Sequence, residues 1–275
     1  MIQVSPAANM TQDNLNNLHV VVTGGNSGIG FAAAKLFLSK GYKVTIVGRS
    51  KDRLEEARTK LEGNVEIGIC DICSIASVDE FVKSIGKIDI LANNAGVVMG
   101  EYKTSELGQE LTFSTNHLGT MYLTVRLLEN SKINERGSIV VVSSLMHMGG
   151  SKDADYFDKI TEKNFSGYRA YSQSKLFNLL FARYLVTKYL PETYNGLSIK
   201  VTSVHPGYVP DTDISRSMGI VNTLNTMVST VLGCVGWVPL SEYIRPQPTP
   251  TQMGSILEIA DTKNQQISLR MTKLH

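Results

Sequence analysis

A tyrosine and a lysine stand four residues apart in Tyr171-Ser-Gln-Ser-Lys175, and on a helix that spacing puts both on one face within reach of each other. An ammonium stabilises a phenolate. It would draw the phenol pKa from about 10 toward working pH, where a phenol serves as general acid for a carbonyl or general base for an alcohol. Alone, such a pair reads more simply as a surface pair on an ordinary helix. Context comes from Ile139-Val-Val-Val-Ser-Ser144, an apolar strand ending in two hydroxyls, where a serine can hold a carbonyl oxygen at the carboxyl edge of a sheet. Tyr168 is the rival tyrosine, but position 172, four residues on, is serine.

A second group of residues binds rather than reacts. In Thr23-Gly-Gly-Asn-Ser-Gly-Ile-Gly30, set between the apolar run His19 to Val22 and a helical run, Gly24 can leave a strand in a tight turn. Gly28 lets backbone approach a pyrophosphate, Gly30 lets the helix pack close to the sheet, and the helix N-terminus offers unpaired N–H groups to phosphate. The turn predicts a dinucleotide cofactor; its plain alternative is an ordinary strand-to-helix loop. Asn93-Asn-Ala-Gly96 ends another strand with a composition that suggests backbone close to a ligand. Cofactor choice follows from Val47-Gly48-Arg49-Ser50: no acid stands where the adenosine ribose hydroxyls of NAD would want one. Arg49 instead offers a guanidinium to a 2′-phosphate and Ser50 a further donor, so NADP(H) is expected.

The elements that must position these residues alternate. After Gly28, Ile29, Ala32, Ala33, Leu36 and Phe37 recur at helical spacing and predict the buried face of a first helix. Lys43 to Val47, Val65 to Ile69, Ile88 to Ala92, Ser138 to Val142 and Ile199 to Val204 read as strands. Helices are expected over Lys51–Leu61, Thr104–Glu129 and Tyr168–Tyr189, and from a capping box at Ser77-Val-Asp-Glu80. The fold class is α/β, a single doubly wound Rossmann-type parallel sheet with helices on both faces. One domain is expected over 19–275, behind a polar extension over 1–18.

Formal charge is +2, with no long basic block, so nucleic acid is not an expected partner. The start of the chain lacks the basic and apolar parts of a signal peptide, so a reducing, cytoplasmic compartment is expected. Cys70 and Cys73 have Cys-x-x-Cys spacing, but no second pair completes a zinc site, and they read as small apolar fillers beside a cofactor pocket. No metal is expected. The stretch 217–241 carries no charge, and Ile220, Leu224, Met227, Val231, Val235 and Val238 form a helical stripe opposite a polar face. Glycines and Pro239 interrupt it, so it reads as a lid helix over an apolar substrate pocket rather than a span, with peripheral membrane contact as the lesser option.

Taken together, in order and spacing, these motifs resemble the short-chain dehydrogenase/reductases from about His19 to Thr212. The resemblance implies that Tyr171 is the acid/base, that Lys175 lowers its pKa and holds the nicotinamide ribose, and that Ser144 rather than Ser143 binds the reacting oxygen. Asn116, in Asn116-His-Leu-Gly119, would place a water beside the lysine through its backbone carbonyl. Around the cofactor it implies Gly24, Asn26, Ser27, Gly28, Ile29 and Gly30 at the phosphates, and Arg49 and Ser50 at the adenosine ribose. Asp71 and Ile72 would meet adenine; Asn93, Ala95 and Gly96 would line its ribose; Pro206, Gly207 and Val209 would meet the carboxamide. The usual threonine of that last loop stands one position late, at Thr212. A charged insertion with Lys152, Asp153, Asp155, Asp158 and Lys159 resembles the retinol dehydrogenase-like branch, which implies a small lipophilic aldehyde, ketone or alcohol, retinoid-, steroid- or fatty-aldehyde-like. His117, His147 and His205 read as pocket-wall residues. The family also implies a homo-oligomer through its two long helices. Two other readings remain: a non-catalytic NADP-binding sensor or scaffold on the same fold, and a sugar epimerase or dehydratase. Ile267-Ser-Leu269 is the candidate closing strand.

Overall fold

A computed structural model describes residues 18–206 apart from 107, 152–155 and 195. Its six strands are β1 (His19–Thr23), β2 (Lys43–Gly48), β3 (Val65–Ile69), β4 (Ile88–Asn93), β5 (Ile133–Val142) and β6 (Lys200–Val204). All neighbours pair in parallel in the order β3-β2-β1-β4-β5-β6. The order reverses direction between β1 and β4, which opens a crevice outside the carboxyl ends of those strands.

Both sheet faces are covered, and alternation along β1 shows how. Val20 and Val22 pack with Val44, Ile46 and Ala92 against Ala34 and Leu38 of α1 (Gly28–Ser39) and Leu54 and Ala57 of α2 (Lys51–Thr59). Val21 points the other way, with Leu91, Ile139 and Val141, toward Phe81 of α3 (Ile75–Ser84) and two long helices. The first of these, α4, joins Leu111–Phe113, a π-helical stretch Ser114–Gly119 and Thr120–Glu129. After a short helix α5 (Tyr156–Lys159), the second, α6, joins Gly167–Tyr184, a π-helical stretch Leu185–Tyr189 and Leu190–Thr193. Strand side chains alternate faces, so a strand covered on both sides needs the near-continuous apolar run that β1 has.

Several expectations are corrected. The buried face of α1 is Gly30, Ala34 and Leu38, while Ile29, Ala32, Ala33, Leu36 and Phe37 stay half-exposed; small residues face the sheet because the helix lies close to it. α3 starts at Ile75 rather than from a box at Ser77, whose hydroxyl accepts instead from the Asp71 N–H at 3.0 Å. α4 starts seven residues late, because Thr104 bridges Glu110, and the Glu110 carboxylate caps the helix by accepting from the Thr112 and Phe113 N–H groups at 2.8 Å. β5 begins at Ile133, with a register shift before Ser138. The insertion is anchored by an apolar residue: Phe157 is buried and stacks on Phe113 with centroids 3.8 Å apart.

Among the described residues no helix is long and apolar enough to cross a membrane. The lid helix over 217–241, the closing strand at Ile267–Leu269 and the loop residues Gly207, Val209 and Thr212 lie outside the described residues.

Candidate active site

Tyr171 and Lys175 lie in the first half of α6, where it crosses the end of β5. Tyr171 is 6% exposed and Lys175 2%. The ammonium nitrogen sits 5.5 Å from the Tyr171 ring centroid and donates to the Val142 carbonyl at 3.0 Å. Burial disfavours charge, so the lysine is pulled down to about 8. Burial also raises the Tyr171 phenol, against a hydrogen bond with Ser144 that lowers it. The direction expected from the tyrosine–lysine spacing is thus reversed: in the protein by itself, desolvation outweighs the Ser144 hydrogen bond.

The two serines at the end of β5 part company. Ser143 is buried and its hydroxyl donates to the Lys175 carbonyl at 2.8 Å, tying strand to helix. Ser144 is half-buried, accepts from the Met146 N–H at 3.2 Å and reaches Tyr171. Asn116, fully buried in the π-helical stretch of α4, pairs with both sides of Val97: Oδ1 accepts from its N–H at 2.7 Å and Nδ2 donates to its carbonyl at 2.9 Å. Nδ2 also donates to Ser174 Oγ at 3.0 Å, and Ser174 donates to the Tyr171 carbonyl at 2.7 Å. π-Helical turns recur at functional sites because they disturb the regular backbone ladder. A side chain at Gly96 would come within 3.3 Å of Asn116 Oδ1 and 3.4 Å of Lys175 Nζ. The structure therefore brings Asn116, Ser144, Tyr171, Lys175 and Gly96 together. Tyr168, 57% exposed, lies outside, over Gly149.

At the start of α1 the backbone is shaped to receive a ligand. Gly24 and Gly28 both have φ in the left-handed region, +65° and +53°, and a side chain on Gly30 would strike the Gly24 carbonyl. Ser27 precedes the helix in extended conformation without a side-chain bond to it, and no acid sits in the first turn, so the terminal N–H groups are left without a side-chain cap, as an anion site requires. Asn26 Oδ1 stands 3.1 Å from where a Gly48 side chain would begin. Arg49 is exposed, and Ser50 caps α2 by accepting from the Arg53 N–H at 3.4 Å, leaving its hydroxyl proton free to donate. Asp71 Oδ1 accepts from the Cys73 N–H at 2.9 Å, and the Ile72 carbonyl packs on Gly119. The Asn93 side chain turns inward to Thr124 Oγ1 at 2.9 Å, which leaves its backbone at the end of β4. Pro206 closes the described chain beyond β6.

Thr23 and Asn94 stand inside the two motifs, but the sequence pattern assigned neither a role of its own. The Thr23 hydroxyl accepts from the N–H groups of Asn94 and Ala95 at 2.9 and 3.0 Å, while Asn94 Nδ2 donates to the Thr23 carbonyl at 2.9 Å. This clasp joins the phosphate turn to the end of β4; the signal was a hydroxyl and an amide at the ends of adjacent strands. His117 is not a pocket wall but core: it is buried on Phe113, and desolvation lowers it to about 4. Burial raises both thiols, Cys70 to about 12, which suits filler rather than thiolate chemistry.

The chain belongs to the short chain dehydrogenase family, whose pattern matches residues 18–157. Within it the chain falls in the retinol dehydrogenase-like branch. It is 34% identical over 252 residues to retinol dehydrogenase 13 of Homo sapiens, covering 88% of this chain and 73% of that one. Identity to retinol dehydrogenase 14 of Homo sapiens is 30%, covering 87% and 74%. A crystal structure of a Mycobacterium paratuberculosis protein, 30% identical, superposes with a TM-score of 0.64 over 76% of this chain and 78% of that one. The protein is an oxidoreductase of a family that binds a nicotinamide cofactor.

Proposed function

We propose that the protein interconverts a carbonyl and an alcohol on a small lipophilic substrate, with NADP(H) as cofactor and Tyr171 as general acid/base. The observation that carries this reading is the convergence of Tyr171, Ser144 and Lys175 at the carboxyl end of β5. The glycine-shaped turn at α1 and the space left by Gly96 beside Lys175 fit a dinucleotide lying across the strand ends. Arg49 supports the phosphorylated cofactor: it is exposed at the end of β2, and no ion pair to a described residue holds it.

When bound, the nicotinamide supplies or takes up hydride. Tyr171 gives its phenolic proton to the substrate oxygen in reduction and removes it in oxidation. Ser144 donates to the same oxygen and stabilises the charge that develops there. Lys175, charged below about pH 8, steadies the phenolate left behind, and Asn116 holds the wall beside it. Leu145 and Met148, 56% and 75% exposed next to Ser144, give the substrate side an apolar rim, which supports a lipophilic compound. The name of retinol dehydrogenase 13 supports the same class.

The test is NADPH consumption against lipophilic aldehydes and ketones and against small polar ones. Turnover on the lipophilic set, with NADPH bound more tightly than NADH, is expected. Silence across both sets despite tight NADPH binding would replace the enzyme reading with the sensing one.

A further inference from the structure

The reaction outlined above leaves His147 without a task. Its ring sits on the 3₁₀ turn Leu145–Gly149 that follows Ser144, with Nδ1 2.6 Å from the Ser144 carbonyl oxygen. A carbonyl has no proton to give, so Nδ1 carries the hydrogen, and Nε2 is the acceptor of the neutral ring. The His147 backbone N–H reaches the same oxygen at 3.0 Å. No residue of this turn is buried, though it lies against α6, where Tyr168 and Ser172 approach Gly149; 3₁₀ backbone geometry alone holds such a turn weakly, so a side-chain hydrogen bond adds to its hold.

What the turn holds is Ser144. On one side the Ser143 N–H ties the chain to the Val204 carbonyl at 2.7 Å; on the other, the Ser144 peptide is held by His147 through its ring and its backbone. The Ser144 hydroxyl takes its bearing from the same turn by accepting from the Met146 N–H at 3.2 Å. His205, just past β6, lies close enough that His147 adds to the burial lowering its pKa, so the chain after β6 runs beside the turn that holds this serine. A misplacement of about 1 Å in a reacting group can cost on the order of 100-fold in rate.

We propose that His147 is a positioning residue whose Nδ1–H clamps the Ser144 carbonyl and so keeps the Ser144 hydroxyl aimed with Tyr171 at the substrate oxygen. The proposal rests on the reading of Ser144 and Tyr171 given above. Asparagine places an amide N–H where Nδ1 stands, whereas glutamine places it where Nε2 stands, and leucine supplies neither. His147→Leu should lower kcat about tenfold, the worth of one hydrogen bond, with the NADPH Kd unchanged. His147→Asn should restore most of that rate and His147→Gln should not. Equal rescue by both, or full kcat in the leucine variant, would overturn the proposal. Ser144→Ala and Tyr171→Phe are measured alongside. Full turnover in those two removes the reading of the site and the clamp with it; turnover lost in them but kept in His147→Leu removes the clamp alone. In the chain without cofactor, nitrogen NMR should show His147 as the Nδ1–H tautomer, and an Nε2–H tautomer would count against the clamp.

Discussion

The two ends of the crevice are built differently. At the reaction end Ser143, Asn116, Tyr171 and Lys175 are buried and bound into the fold, strand to helix and helix to helix. At the cofactor-selecting end Arg49 is exposed at the tip of β2 and Ser50 caps the next helix. Chemistry that needs a shifted pKa and fixed distances must be set in the core, where desolvation acts on every charge. Recognition of one extra phosphate needs only a cation at a surface. The two properties should therefore separate under mutation.

The largest separation is expected at Ser144. Ser144→Ala should lower kcat by about 10²–10³-fold and leave the NADPH Kd alone, as steady-state kinetics and fluorescence titration would show; an equal loss in cofactor binding would erase the contrast. Arg49→Ala should do the converse, weakening NADPH by about 10–100-fold, what a lost charge-assisted hydrogen bond is worth, with NADH and kcat little changed. Equal weakening of both cofactors would mean that Arg49 does not read the phosphate.

Stability sharpens the comparison further. Thr23→Val keeps shape but leaves the N–H groups of Asn94 and Ala95 without their acceptor, at a cost on the order of 1–3 kcal/mol; a urea denaturation midpoint unmoved by the change would show that the clasp is not holding the turn. Lys175 gives the smallest effect and a pH signature. Its folded pKa of about 8 lies below the ordinary lysine value of 10.5, so the unfolded chain binds more protons between those values and stability rises with pH across that window. The penalty is fully present below pH 8. Lys175→Met removes this penalty together with the partly offsetting hydrogen bond to Val142, so it should raise the Tm of the cofactor-free chain by only about 2–4 °C at pH 7, an advantage that fades toward pH 10.5. A constant difference across that range would show that the lysine is not the desolvated group.

Much of this was legible in the sequence, and the exceptions have physical causes. Fully covered strands such as β1 and β2 announce themselves as apolar runs, and the glycine turn names its own constraint. Local signals failed where a distant partner won. Ser77 resembles a cap, but its hydroxyl is taken by Asp71; Thr104 sits in a helical pattern, but a bridge to Glu110 and the buried Glu110 carboxylate delay α4. At the register shift in β5, Asn134 Nδ2 donates to Asp89 Oδ1 at 2.6 Å, a contact 45 residues apart that local spacing does not reveal. Spacing placed Tyr171 and Lys175 side by side but could not supply their burial, which reversed the expected direction of the phenol shift. The parting of Ser143 from Ser144 likewise depends on which way β5 turns as it ends.

The most direct measurement is turnover of a lipophilic aldehyde with NADPH by the native chain and by Tyr171→Phe, with the NADPH Kd measured on both. A loss of about 10²–10⁴-fold in kcat at unchanged Kd is the predicted result, because only the phenolic proton has been removed. Near-native turnover by the phenylalanine variant would contradict Tyr171 as the acid/base and the reaction built on it.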